Sequence, residues 1–105
     1  MSRIMYARIT HVKMTDVKAA VERINENKHL MTEMTGWISS RIVQVSDDEA
    51  MGIGFFQTKE DYEASEEQFG KIMGVMKDFM AGPPDVKSGN AVSYTHLTLP
   101  TISRV

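Results

Sequence analysis

Three side chains offer the polar chemistry that an otherwise apolar pattern could present to a ligand: the indole of Trp37, the guanidinium of Arg41 and the phenol of Tyr62. Tyr62 opens a helical apolar stripe, so its hydroxyl could enter a pocket; the competing reading is a core tyrosine with its OH at the surface. Trp37 enters a strand just after a helix stop, where it fits either a stacking role or, the reading its position favours, a buried anchor. Arg41 alternates onto the face of Trp37 and Val43, and there it could orient an anionic substrate, stand at a rim or pair across an interface.

The remaining reactive groups exclude more than they offer. Cys is absent, which removes disulfides, thiolate nucleophiles and sulfur-ligated clusters. His11 reads as an edge histidine and His29 as a solvated one, with no second imidazole or carboxylate at ligand spacing, so no metal is expected. Glu60, Asp61 and Glu63 read as the solvated first turn of a helix, where negative charge complements exposed amides. No nucleophile triad or close general-base pair stands out. The 12 basic and 14 acidic residues are spread along the chain, which argues against nucleic acid as a partner. No stretch is long and apolar enough to cross a bilayer, so no membrane partner is expected and a cytoplasmic domain is the expectation.

These residues need elements to place them, and the segment 50–84 supplies most of the architecture. Met51, Ile53 and Phe55 alternate with Ala50, Gly52, Gly54 and Phe56, the two-residue period of a strand. Two glycines on one strand face mark a close approach by another backbone or by a ligand. Thr58 then caps a long helix through Met80, with Asp61 three residues on. Tyr62, Phe69, Met73, Met76 and Met80 form its apolar stripe, and Gly82-Pro83-Pro84 stops it. Gly70 and Gly74 make a GxxxG step that suits either close packing on a sheet or space left for a ligand. Met51, Ile53, Phe55, Phe69, Met73 and Met76 are the candidate substrate-binding residues. Thioethers adapt to flat aromatic surfaces, though methionine also fills core gaps.

Upstream, residues 3–12 alternate as a strand that is partly apolar on both faces. Thr15 or Asp16 caps a first helix, whose stripe of Val17, Ala20, Val21, Ile24, Met31 and Met34 is interrupted near His29 and Leu30. Gly36 ends it. Residues 37–45 form a second strand that turns back through residues 46–49, and residues 85–99 read as a last strand. The order is βαββαβ, an α+β, ferredoxin-like fold with an antiparallel four-stranded sheet and helices on one face. Its other face is apolar enough to expect a second copy, making a homodimer through the sheet. At 105 residues the chain is one domain, placed at 1–91.

The opening MYARIT, the Gly36-Trp37 step and MGIGFFQTKEDYEASEE leading through AGPP resemble the antibiotic-biosynthesis-monooxygenase family of dimeric α/β barrels. That resemblance implies a pocket between sheet and helices, and a cofactor-independent monooxygenase acting on an apolar aromatic or quinol-like substrate. It leaves open a non-catalytic dimeric module for small-molecule binding or stress response. Trp37, Arg41 and Tyr62 match, by type, the pocket residues of the polyketide-oxidising branch and are the candidate catalytic set. The haem-degrading branch is not matched, because residues 59–80 hold no histidine and residues 3–12 no asparagine; the expected cofactor is none. VSYTHLTLPT, at 92–101, resembles the in-frame translation of a sequencing adapter, so 92–105 is expected to be a non-native tail.

Overall fold

The computed structural model describes residues 5–93. Nearly all of the 92–105 tail, and the last part of the strand expected over 85–99, lie outside the described residues. Four strands, β1 (Tyr6–Lys13), β2 (Trp37–Ser46), β3 (Glu49–Phe56) and β4 (Asp85–Asn90), form one antiparallel sheet in the order β2-β3-β1-β4. The helices are α1 (Val17–Glu26), α2 (His29–Thr32), α3 (Lys59–Ala64) and α4 (Glu66–Met76), followed by a single 3₁₀ turn at Lys77–Phe79. This is the ferredoxin-like βαββαβ arrangement.

Local chemistry sets the boundaries. Asp16 caps α1 by accepting from the Ala19 amide at 3.0 Å, and Thr58 caps α3 by accepting from the Asp61 amide at 3.0 Å. Gly36 takes a φ of 71°, the left-handed conformation that turns the chain into β2. The first helix breaks between Glu26 and His29, as the interrupted stripe foretells. The second is not one long helix: it is interrupted at Ser65, whose hydroxyl donates to the Tyr62 carbonyl at 2.6 Å and competes with the helical ladder.

Alternation sorts the sheet into two faces. Arg8, Thr10 and Val12 on β1 pair with Gly54, Gly52 and Ala50 on β3, and all turn to the helices. There Val17, Ala20 and Ile24 of α1 and Ile72 and Met76 of α4 close the core around Phe56, which is fully buried. The opposite face carries rows such as Arg41–Ile53–Ile9–Lys87 and Val43–Met51–His11–Asp85. On it, Ile9 and Val43 are exposed in the single chain, and His11 Nε2 meets Glu49 Oε1 at 2.7 Å. Gly70 and Gly74 correct both expectations for the GxxxG step: they lie on the exposed side of α4, where an added Cβ would meet nothing within 4 Å. They neither pack on the sheet nor border the cleft described next.

Candidate functional site

Between the inner sheet face and the helices lies a cleft that is open at its mouth and holds about 80 Å³ of space between its walls. Thr10, Val12, Ala50, Gly52, Ser40 and Ile42 form its floor, and Ile24, Met31, Phe69, Ile72, Met73 and Met76 its roof. The cleft exists because β3 contributes no side chain at its middle: a Cβ built on Gly52 would meet nothing within 4 Å. The neighbouring Gly54 sits under Ser40, whose Oγ would lie 3.5 Å from an added Cβ. Of the two glycines, Gly52 leaves open space above the sheet, whereas Gly54 is covered by Ser40.

One charge enters this apolar setting. Arg8, only 8% exposed, borders the cleft and puts its guanidinium carbon 3.6 Å from the centroid of Phe69. The rings of Phe56 and Tyr62 lie 5.4 and 5.6 Å from it. Burial pulls the Arg8 pKa down to about 10, the Tyr62 phenol acting in the opposite direction, so the group is still a cation at neutral pH. Ser40 Oγ accepts from the Trp37 indole N–H at 2.8 Å, and a hydroxyl that accepts one bond still has its own proton to donate. Among the described residues the lining holds no carboxylate and no imidazole, and no group of three His, Asp or Glu could hold a metal. The arrangement can bind a flat apolar body and stabilise negative charge on it; it supplies no strong base.

The expected site residues divide between the two sheet faces. Phe69, Met73 and Met76 line the cleft, and Ile53 borders it. Met51 and Phe55 belong to the opposite face, paired with His11 and Ala7. Arg41 borders the cleft but is exposed, and its Nη1 donates to the Ser40 carbonyl at 3.1 Å. Tyr62 stands behind Arg8 rather than in the lining, its ring 4.9 Å from that of Tyr6 and 5.8 Å from that of Phe56. Trp37, half-buried and paired with Phe56 across the sheet, reaches the cleft only through Ser40. Sequence reasoning missed Arg8. The available signal was an arginine at an inward register of β1, between Tyr6 and Thr10 and opposite a glycine.

No family model and no curated protein matches the chain. Solved structures do. A Nitrosomonas europaea protein assigned as an antibiotic biosynthesis monooxygenase superposes with a TM-score of 0.74 at 18% identity, covering 91% of this chain and 98% of that one. One from Caulobacter crescentus, carrying the same name, gives 0.70 at 13% identity over 87% and 92%. A dimeric ferredoxin-like protein from an uncultured marine organism gives 0.73 at 15% identity over 92% and 95%. This chain shares the ferredoxin-like fold of these structures. At such identities the likeness speaks for architecture, and the same fold carries unrelated chemistries. In this chain the cleft is marked by the gap over Gly52 and the cation at Arg8.

Proposed function

We propose that the protein is a homodimeric, cofactor-independent oxygenase that takes a flat, easily oxidised aromatic of the anthrone or dihydroquinone type into the inner cleft. The observation that carries this reading is the cleft itself, apolar on both walls, opened by Gly52 and bordered by a buried guanidinium. Direct reaction with O₂ needs an electron-rich substrate anion, and a site that favours the anion over its neutral parent raises the reactive fraction. For an anthrone, loss of a CH₂ proton gives the carbanion, which reacts with O₂ to a carbon-bound peroxide. Breaking the O–O bond and the second C–H bond then leaves a carbonyl and one water. Methionine and phenylalanine walls suit the ring and keep bulk water from the anion.

The open sheet face supports the dimer. Ile9, Ile53, Met51 and Val43 form an apolar centre flanked by Arg41 and Lys87, a pattern that suits burial against an identical surface. The catalytic reading is tested by oxygen consumption with a panel of anthrones and dihydroquinones, without added metal, flavin or haem. Turnover with quinone or carbonyl product is the expected result; no oxygen uptake with any member would remove the enzyme reading.

A second reading, a non-catalytic dimeric module that binds the same class of molecule, is favoured by one specific observation: among the described residues the lining contains no carboxylate or imidazole to take a proton. Thermal stabilisation by the panel without product would select it.

A further inference from the structure

Among the described residues Arg8 is the buried charged side chain, sharing the buried polar set only with Thr10 and Ser65. Buried charges are ordinarily paired with an opposite charge, because ring faces and hydroxyls do not replace the water a guanidinium gives up. Arg8 has no such partner there. The ion pairs among the described residues are His11–Glu49, Arg23–Asp78 and Lys87–Asp85, and none reaches it. Its strand neighbours are Gly54, which has no side chain, and Ser88, whose Oγ is 3.3 Å from the Tyr6 hydroxyl. The helix side presents Phe69 and Tyr62. This cation is enclosed by aromatic rings and opens toward a cleft.

We infer that Arg8 is an anion receptor, and that the cleft takes an aromatic ligand carrying an ionised oxygen, phenolate or carboxylate, which seats on the guanidinium while its ring lies along the Phe69–Met73 wall over Gly52. A planar guanidinium presents paired N–H donors that match one or two such oxygens. Phe69 and Phe56 hold it from its sides, which fixes the fork without using up its hydrogen bonds. The inference rests on the cleft being a ligand site, as proposed above, and adds the charge and the anchor of the occupant. It makes Arg8 select among aromatics of equal shape: an ionised oxygen completes the site, whereas an ether leaves the cation unpaired.

Isothermal titration of the full chain at pH 7 with 2-naphthol, 2-naphthoate and 2-methoxynaphthalene separates charge from ring. The wild type should bind at least one of the two acids about tenfold or more tighter than the ether, the gain of a charge-assisted pair. In Arg8→Met that preference should vanish while the ether binds as well as before or better, and Arg8→Lys should keep part of it. Naphthoate as the preferred ligand marks a carboxylate site; naphthol bound with the long-wavelength absorbance of its anion marks a phenolate site. Either result supports the inference. Equal affinity for ether and acids in the wild type overturns it and leaves the cleft reading standing, whereas no binding by any of the three overturns both. The wild-type series decides even if a variant does not fold.

Discussion

The Arg8 guanidinium lies 3.6 Å from the centroid of the Phe69 ring, on the inner side of the sheet and with no carboxylate beside it among the described residues. A fold selected for stability alone would place an apolar side chain there. Replacing buried ionic groups by well-packed apolar ones is often stabilising, so Arg8→Met should raise the free energy of unfolding by about 1–3 kcal/mol in urea titrations. The sign follows from the pKa. Burial lowers it to about 10, so the folded state is penalised while the group is charged, below that pH, and the penalty fades as pH rises from there toward the unfolded value. The advantage of Arg8→Met should therefore hold steady through neutral pH and shrink in alkali. A clear loss of stability on substitution would instead make Arg8 a structural residue.

Gly52 separates stability from function at a single position. A Cβ there meets nothing within 4 Å, and valine suits a strand better than glycine does. Gly52→Val should leave thermal unfolding unchanged or raise stability by about 0.5–1 kcal/mol. The same two methyl groups would occupy the cleft, lowering affinity for bound aromatics by about tenfold or more, since a ligand held less deeply leaves more of its ring in water. Unchanged affinity would place the ligand elsewhere.

Gly36 behaves in the opposite way. Its φ is 71°, and an added Cβ would run into the Asp61 side chain, which belongs to the first turn of α3. Gly36→Ala should cost about 1–3 kcal/mol, read by the midpoint of denaturant unfolding, because alanine strains the left-handed backbone and crowds Asp61. A neutral effect would mean that α3 can shift without penalty.

The open sheet face predicts association. Ile53 lies between Arg41 and Ile9 at its centre, so Ile53→Lys would set a third cation in the row Arg41–Ile53–Ile9–Lys87 on each copy. Sedimentation at micromolar concentration should show the wild type as a dimer and Ile53→Lys as a monomer that is still folded. A monomeric wild type would remove the dimer from the proposal.

Much of this is readable in the chain, for physical reasons that differ by residue. Asp16, Thr58 and Gly36 announce helix ends because caps are local chemistry, and the observed hydrogen bonds and φ agree. The alternation of Ala50–Phe56 separates the two faces, but periodicity does not say which face the helices cover. Met51, Ile53 and Phe55 look like substrate contacts in the sequence, yet Met51 and Phe55 alternate away from the floor that Gly52 opens, and Ile53 only borders it. The structure makes Phe56 the fully buried aromatic and leaves Phe69 half-buried at the cleft. Phe56→Ala should then be the costlier truncation, about 3–5 kcal/mol. Arg8 escapes notice because an arginine in a strand of mixed polarity reads as solvated until the helices are packed over it.

The nine methionines offer the most direct test of where a ligand sits. Met14, Met31, Met73 and Met76 line the inner cleft, while Met51 faces the other side of the sheet. With methyl-labelled methionine, NMR titration of the wild type with 2-naphthoate or 2-naphthol should move the Met31, Met73 and Met76 methyl signals by ring current and leave Met51 in place. A shift confined to Met51, or no shift at saturating ligand, would contradict the inner cleft as the binding site.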